Sequence, residues 1–343
     1  MLTERQAAVL RVMVKAYVGE AAPIASGTLA NLLPVNVSSA SIRSVLAELA
    51  EQGLVEKPHA SSGRIPTERG LRLFVNSFVD ADELGAYERR TIVYSLDAAD
   101  VGSVVNVASQ LLSECTHQLG FVVTPRLDRV VLQHVSLVRL STERLLVVFV
   151  SQAGTAYRRV IDDEWLFSQL ELDQIATVLN ERVVGRTLRE VRDVLAGEAE
   201  AARARADRLL SDVIELGSRA LAASAEGDEP MDLVIASRLA LLNQPEFQDP
   251  RRVQELFAAV ETKERILEVL DRMLSEGGVQ VAFGDEVDAP GLHRCALVAT
   301  HYGADEDAPL GTLGVIGPSR MDYARVISLV GFLSHAVTDK LIA

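Results

Sequence analysis

The chain of 343 residues has only two cysteines, Cys115 and Cys295, and no long apolar run. Two thiols are too few for a disulfide framework or a structural zinc site, so we expect no bound metal. The longest apolar run, Leu145–Val150, has the length of a strand, whereas a membrane span needs about 18 residues. Glu4 and Arg5 stand where a signal peptide requires an apolar segment, which predicts a cytoplasmic protein without contact to a membrane.

Aromatic residues are also scarce, at 5% of the chain, so we expect a core of aliphatic side chains in packed helices. Hydrophobic residues make up 48% and charged residues 24%, which is typical of a globular protein and excludes a wholly disordered one. A length of 343 residues exceeds that of one ordinary core and predicts two or three domains.

Positive charge is scarce outside the N-terminal region. Lys and Arg number 34 against 48 Asp and Glu, which gives a formal net charge of −14. Residues 1–80 contain eight Lys or Arg and seven Asp or Glu, so they carry +1 and residues 81–343 carry −15. Because an acidic surface repels nucleic acid, any contact with DNA is expected within the first 80 residues.

Three helices are predicted at the start of the chain. The first covers residues 3–19, with a capping box formed by Thr3 and Gln6, and is expected to stop at Gly19 and Pro23. A short second helix is expected to begin with Ser26 as its N-cap and to end at residue 33, before a proline. The third begins at residues 38–39 and ends at Gly53, and its apolar residues recur at helical spacing on one face: Ile42, Val45, Leu46 and Leu49.

A hairpin and a fourth helix follow. Residues 54–57 and 64–65 are strand candidates on either side of a turn at residues 58–63, in which Gly63 supplies a position where a positive φ costs little. Residues 66–67 open a helix with an apolar face of Leu71, Phe74, Val75 and Phe78. Three helices, a hairpin and a helix within 80 residues is the element order of a winged helix-turn-helix domain.

The third helix is the candidate recognition helix. Its small hydroxylic residues would let it enter a major groove about 12 Å wide, and the Arg43 guanidinium can donate to a guanine or a phosphate. The candidate DNA contacts on this helix are Ser38, Ser39, Ser41, Arg43 and Ser44. An ordinary amphipathic helix with a serine cap remains the alternative interpretation, and the element order is the argument against it.

The hairpin is the candidate wing, which would contact the sugar-phosphate backbone with hydroxyl and cationic side chains. The candidate contacts in and after the hairpin are His59, Ser61, Ser62, Arg64, Thr67 and Arg69. A simple surface turn with a solvated histidine is the alternative here.

The remaining chain reads as an α+β domain interrupted by a helical insertion. We predict a linker at 81–103, a first α+β part at 104–172, a mostly helical insert at 173–275 and a second α+β part at 276–343. β-branched runs with short polar breaks favour antiparallel strands in the α+β parts. Within the insert, residues 197–223 and Arg251–Leu274 are predicted helices, and the latter is a candidate dimer interface.

Several segments of the chain form recognisable motifs. In the N-terminal region they are Leu2–Gln6, Val37–Arg43, Leu46–Leu49, Gly53-Leu54 and Pro58–Gly70. Later in the chain they are Leu179-Asn180, Pro245–Phe247 and Gly317–Tyr323. Together they resemble the HrcA family of heat-inducible transcription repressors of bacterial chaperone operons, and the resemblance covers essentially the whole chain.

The resemblance implies an N-terminal winged helix-turn-helix domain and a GAF-like α+β domain interrupted by a mostly helical dimerising insert. It also implies a homodimer that binds an inverted-repeat operator, the CIRCE element, in double-stranded DNA, and activity supported by the GroEL chaperonin. The sequence departs from the family pattern at Gly27, Ser41 and Ser44, where members usually carry Arg, Thr and Asn. Losing the Arg and the Asn removes a possible phosphate contact and a possible base contact.

Two other functions remain open at this stage. A small-molecule-sensing regulator would use the GAF-like domain to bind a metabolite, although no convergent polar set marks such a site. An enzyme with an appended DNA-binding domain is the weakest alternative. Gly311, Gly314 and Gly317 lack the dinucleotide-binding spacing, and no residue pattern indicates a catalytic site or a cofactor.

Overall fold

The computed structural model describes most of the chain and gives a mixed α and β protein with three sheets. The described residues are 2–34, 37–59, 62–79, 84–99, 103–124, 130–152, 154, 156–162, 167–188, 190–191, 193–195, 216, 233–235, 244–261, 263–287, 291–303 and 309–342. The helix predicted at 197–223 lies outside them apart from Leu216.

The first 80 residues, hereafter the head, have the predicted order of helices and strands. Its elements are α1 (Glu4–Glu20), α2 (Ser26–Leu32), α3 (Ser39–Glu51), β1 (Val55–Glu56), β2 (Ile65–Pro66) and α4 (Glu68–Phe78). The predicted capping box is confirmed, with Thr3 and Gln6 bonding each other's backbone N–H. Two predicted boundaries are wrong. α1 continues through Gly19 and ends where Ala21 takes a left-handed conformation, and Ala25 rather than Ser26 is the N-cap residue of α2.

The predicted apolar stripe of α3 is confirmed. Ile42, Val45, Leu46 and Leu49 are all buried against the rest of the head. Ser38 caps the helix by accepting the Ser41 N–H at 3.2 Å. In the C-terminal half of α3, the Glu48 carboxylate accepts a hydrogen bond from the buried Gln6 side chain at 2.9 Å, which joins α1 to α3. The head is therefore a packed unit whose core takes one face of α3 and leaves the other to solvent.

A five-stranded antiparallel sheet forms the centre of the rest of the molecule, hereafter the body. Its strands run in the order β7-β3-β10-β9-β8 and are β3 (Leu119–Val123), β7 (Leu233–Ile235), β8 (Gln280–Phe283), β9 (Cys295–Tyr302) and β10 (Gly311–Pro318). The antiparallel pairing confirms the prediction from β-branched runs. The short helix α10 (Gly284–Val287) follows β8.

Both faces of this sheet carry helices. On one face lie α5 (Ala86–Ala98), α6 (Val104–Thr116) and α11 (Tyr323–Ile342), whose core is continuous with that of the head. On the other face lie α8 (Pro250–Glu261) and α9 (Lys263–Met273). The predicted polar linker is thus partly a helix of 13 residues, and α5 buries Ile92 and Leu96 in the shared core.

The helices at 250–273 pack inside the molecule rather than presenting a free apolar face. Leu256 and Val260 of α8, with Val269 and Leu270 of α9, are buried in the core below the sheet. The candidate dimer interface at Arg251–Leu274 is therefore not supported. The predicted helical structure is confirmed, but the apolar face is already covered by this chain's own sheet.

A separate three-stranded antiparallel sheet has its own core. It consists of β4 (Leu132–Arg139), β5 (Arg144–Ser151) and β6 (Ala156–Asp162), and α7 (Gln169–Val183) packs on one face. Among the described residues this unit, hereafter the β4–α7 unit, shares no strand pairing with the five-stranded sheet. The predicted boundaries at 172/173 and 275/276 do not coincide with this division, because α7 packs with β4–β6 while α8 and α9 pack with the body.

The outer edge of β4 is closed by side chains of α7. The Asn180 amide accepts the Val135 N–H at 2.7 Å and donates to the Val135 carbonyl at 2.8 Å. The Gln169 amide accepts the Arg139 N–H at 3.0 Å and donates to the carbonyl of Leu137 at 2.9 Å. Residues 185–187 pair with the start of the strand. Two amide side chains therefore make the hydrogen bonds that a further strand would make.

Candidate nucleic-acid interface

The solvent face of α3 follows directly from its buried stripe. Arg43 and Ser44 are exposed, Ser38 at the N-cap is exposed, and Ser39 and Ser41 are half-buried. The Arg43 Nε–H donates to the Ser26 hydroxyl at 3.3 Å, so this guanidinium lies across the start of α2. The N-terminus of α3 adds a partial positive charge at the same end of the helix. The predicted serines and Arg43 therefore share one end of α3, next to the start of α2.

The Ser38 hydroxyl is already engaged within the helix terminus. It accepts the Ser41 N–H and donates to the Ser41 hydroxyl, both at 3.2 Å. Capping of this kind stabilises a helix by about 1 kcal/mol. Ser38 thus has an internal role that is sufficient to explain its identity, whereas Arg43 and Ser44 have exposed polar groups whose positions the fold does not require.

The turn of the hairpin is closed by Ser62. Its hydroxyl donates to the carbonyl of His59 at 2.8 Å and accepts the His59 N–H at 3.0 Å. The His59 side chain is exposed and Ser62 is half-buried. The predicted backbone contact of Ser62 with DNA would compete with this turn, and the predicted contact Ser61 lies outside the described residues.

The hairpin is anchored to the segment between α1 and α2. Ile24 and Arg64 exchange two backbone hydrogen bonds, and Val55 pairs with Pro66 in the β1–β2 ribbon. A Cβ on Gly63 would lie 2.4 Å from the Ile24 carbonyl oxygen. The φ of Gly63 is not positive, so the conformational freedom of glycine is not used there. The close approach of the Ile24 backbone is the reason for glycine at this position.

Thr67 and Arg69 have different surroundings. The Thr67 hydroxyl caps α4 by accepting the Gly70 N–H at 3.1 Å and donates to the Gly53 carbonyl at 2.7 Å. Its one donor hydrogen is used inside the head, so the predicted donation of Thr67 to a phosphate is not supported. Arg69 is exposed, and Arg64 is half-buried.

Two arginines join the head to the body, and sequence reasoning did not identify this role. Arg320 pairs with Glu246, donates to Gln244 Oε1 at 2.9 Å and reaches the Val18 carbonyl at the end of α1. Its side chain is only 11% exposed. The motifs Pro245–Phe247 and Gly317–Tyr323 were noted in the sequence, but nothing in their spacing shows that they meet.

The second joint lies on α4. The Arg72 guanidinium forms a two-point ion pair with Glu286 and lies 4.8 Å from the centre of the Phe283 ring. Arg72 is therefore held by the body and does not add to the free positive charge of the head.

A cleft of about 730 Å³ lies between the hairpin and the body. Its lining combines cationic and anionic side chains, including His59, Arg252 and Glu255. Burial, together with the nearby Glu246 carboxylate, raises the pKa of Tyr17. Burial likewise raises the pKa of the Cys295 thiol to about 12, which keeps this thiol protonated and unreactive.

Neither metal chemistry nor a membrane span is indicated within the described part of the chain. No group of three or more His, Cys, Asp or Glu side chains there is arranged to hold a metal ion. No helix among the same residues is both long and apolar enough to cross a bilayer.

Comparison with known proteins gives one consistent family. Residues 102–327 match the model of the HrcA protein C terminal domain. The heat-inducible transcription repressor HrcA of Geobacter sulfurreducens is 33% identical over 99% of this chain and 98% of its own length. The protein of the same name from Xanthomonas axonopodis pv. citri is 36% identical over 96% of this chain and 93% of its own.

A solved structure shares the fold. A crystal structure described only as that of a hypothetical protein superposes with a TM-score of 0.63 at 22% identity, covering 99% of both chains. The similarity in sequence extends through the head, the body and the β4–α7 unit, because the matches span nearly the full length. This chain belongs to the HrcA family of heat-inducible transcription repressors.

Proposed function

We propose that this protein is a cytoplasmic transcription repressor that binds double-stranded DNA and controls heat-shock chaperone genes. In this proposal the head is a winged helix-turn-helix domain, α3 enters the major groove, and the β1–β2 ribbon lies against the sugar-phosphate backbone. The operator is an inverted repeat of the CIRCE type, bound by a homodimer. Family membership supports a role as a repressor in the heat-shock response, and the geometry of the head supports sequence-specific binding to DNA.

The observation that carries the proposal is the placement of Arg43. Its neighbours Ile42, Val45 and Leu46 are buried, so the fold presents Arg43 to solvent at the N-terminal end of α3. Its only described hydrogen bond, to the exposed end of α2, leaves most of the guanidinium N–H groups available. A planar fork in this position matches the O6 and N7 acceptors of guanine in the major groove.

A two-fold operator requires a two-fold protein, because each α3 must meet an equivalent half-site. With the Arg251–Leu274 face buried, the β4–α7 unit is the better candidate for the main dimer contact. Val138 and Val160 lie on its exposed sheet face, on either side of the central strand. We therefore place the main dimer contact on this sheet rather than on α8 and α9.

Release on heating has a structural basis in the joint between head and body. Residues 81–343 carry −15, so DNA affinity depends on the heads being held with the acidic body away from the duplex. Beside the apolar core that head and body share, the polar contacts of the joint are chiefly those of Arg320 and Arg72. In the proposed cycle heat loosens these contacts and the operator is released, and the GroEL chaperonin returns the protein to its binding form.

The alternative of a metabolite-sensing regulator gains no support from the sheet of the body. Helices cover both of its faces among the described residues, and their side chains form two continuous apolar cores. The relatives are named repressors, which is not a catalytic role. We therefore assign no enzymatic activity.

The test is a gel-shift titration of the full-length protein on a chaperonin-operon promoter fragment, with and without the chaperonin. The matched control is a fragment in which one half-site is scrambled. We expect tighter binding to the intact inverted repeat, by tenfold or more, and an increase with chaperonin. Equal affinity for both fragments would refute sequence-specific repression through an inverted repeat.

A further inference from the structure

Helix α5 presents the most exposed aromatic side chains among the described residues. Tyr87 is 85% exposed and Tyr94 is 76% exposed, and Val93 beside them is 41% exposed. This is unusual in a chain with only 5% aromatic residues. Tyrosine and arginine are enriched where proteins bind one another tightly, so such a concentration marks a candidate interface.

The exposed residues form one face, directly opposite the buried one. Tyr87 and Tyr94 are seven residues apart and hence about 20° apart around the helix. Ile92 and Leu96, which point into the core, lie about 160° from Tyr94 on either side. Arg90 and Asp97 are also exposed and lie beside the tyrosines, about 40° and 60° from Tyr94 on one side. We name this surface, made of Tyr87, Arg90, Tyr94 and Asp97, the tyrosine face.

Neither charge of the tyrosine face is used within the described part of the chain. The carbonyl of Asp97 accepts a hydrogen bond from the Lys340 ammonium, but its carboxylate has no described partner. The Arg90 guanidinium has none either. In contrast, Glu88 on the flank of the same helix pairs with Arg325 of α11. The core-facing side of α5 is therefore satisfied, and the tyrosine face is not.

The charges on the tyrosine face are self-complementary in one arrangement. The positive charge lies in the N-terminal half of α5 and the negative charge lies in the C-terminal half. When two copies of the helix run antiparallel across a two-fold axis, Arg90 of each faces Asp97 of the other, and Val93 and Tyr94 lie at the centre. A contact in which residue i meets j and j meets i is the pattern of a two-fold homodimer.

We propose that the tyrosine face of α5 binds the same face of a second copy of this chain, in antiparallel orientation. α5 starts eight residues after α4 ends, so this pairing also fixes the distance between the two heads. A 13-residue helix is about 20 Å long, too short to bury by itself the roughly 1,000 Å² of a stable interface. The pairing therefore adds to the main dimer contact and does not replace it.

The inference deepens the proposed homodimer, and it is tested without DNA. Tyr94→Cys is made in the full-length protein together with Cys115→Ser, which leaves only the buried and unreactive Cys295. A short bismaleimide is expected to link two copies at position 94. The matched control is Arg89→Cys in the same background, which is also exposed but lies about 140° away around the helix.

At least a fivefold higher yield of covalent dimer at position 94 than at position 89 is the expected result. Equal yields, or no dimer at position 94, would overturn the proposal.

A charge exchange gives an independent measurement. Arg90→Glu places like charges opposite each other twice in the dimer and should weaken dimerisation about tenfold in sedimentation equilibrium. Adding Asp97→Arg restores opposite charges and should recover most of the affinity, while Arg89→Glu should change little. A double variant as weak as Arg90→Glu would refute the pairing. Because dimerisation is measured apart from operator binding, failure here and failure of repression remain distinguishable.

Discussion

Ile24 and Arg64 exchange backbone hydrogen bonds at 2.9 Å in both directions, although 40 positions separate them. This pair joins the β1–β2 ribbon to the segment between α1 and α2, and α2 in turn packs on α3. The ribbon and α3 are therefore fixed relative to each other through the head itself. A duplex that contacts both would meet a preformed surface, so little ordering is needed on binding.

Gly63→Ala should disturb this anchor. The new Cβ would lie 2.4 Å from the Ile24 carbonyl oxygen, which neither backbone can accommodate without a shift. We expect a loss of about 1–3 kcal/mol in the free energy of unfolding, measured by urea titration. Gly27→Ala is the matched control, because nothing lies within 4 Å of its Cβ position and alanine favours the helix. Equal effects of the two changes would contradict the close approach.

Arg43→Ala should lower operator affinity by about 1–3 kcal/mol and relax base preference at one position of each half-site. The reason is the loss of a two-point hydrogen bond to guanine. Arg43→Lys keeps the charge without the fork, so it should bind random DNA normally and the operator weakly. If Arg43→Ala weakens binding to random DNA as much as to the operator, Arg43 contacts a phosphate instead. Competition gel shifts with single-base operator variants measure this.

Arg64→Ala and Arg69→Ala should weaken binding to all sequences alike. Each guanidinium that neutralises a phosphate releases about one counterion, so each change should reduce the slope of log affinity against log salt by about one. Because Arg69 is exposed and Arg64 is half-buried, we expect the larger reduction of the salt slope for Arg69→Ala. Arg72→Ala is the control, since the body holds Arg72 through Glu286. An unchanged slope for both ribbon arginines would remove the ribbon from the interface.

Gly27→Arg should increase DNA affinity. The position has open space around its Cβ, lies in the first turn of α2 next to Ser26, and is thus close to the Arg43 side chain. A cation there should raise the salt slope by about one without changing base preference. Gly27→Gln adds a comparable length without charge and serves as control. An equal gain with glutamine would show that charge is not the cause.

Arg320→Ala should loosen the joint of head and body. The change leaves Glu246, which is only 25% exposed, without its partner, and should cost about 2–3 kcal/mol of stability. Arg325→Ala, which removes the more exposed pair with Glu88, should cost less than about 1 kcal/mol. Alkylation of Cys295, which lines the cleft, should accelerate in the first variant only. Equal rates would mean that Arg320 does not limit access to Cys295.

The local structure of the head was predictable because its signals lie within a few residues of one another. The buried stripe of α3 follows from helical spacing, and the Thr3–Gln6 box from two positions three apart. The antiparallel strands of the body follow from runs of β-branched residues in the same way. Each of these patterns predicts a secondary structure from residues that lie close together in the sequence, so no information about a distant partner is needed.

The partners of those elements were not predictable. The sequence predicts one mostly helical insert at 173–275, yet α7 packs on the three-stranded sheet and α8 on the five-stranded one. The Leu179-Asn180 motif gives no sign that the Asn180 amide bonds the β4 backbone. Arg320 and Glu246 are 74 residues apart, and no local pattern records that they form a pair. Pairings of this kind are properties of the folded chain.

The closure of β4 by the amides of α7 also decides how the three-stranded sheet can grow. Sheets of many molecules join into a fibre only if each sheet can pair with a further strand at both of its edges. Here the backbone groups of the β4 edge are already bonded by the side chains of Asn180 and Gln169. Within the described residues β6 pairs only with β5, and it carries Arg158 and Arg159, charges of the kind that discourage addition there. In the folded protein no further strand can therefore pair with the β4 edge of this sheet. If α7 detached, the β4 edge would be free to pair as well. Copies of the protein would then be able to add to one another through both edges of the sheet, β4 and β6, and to form fibres.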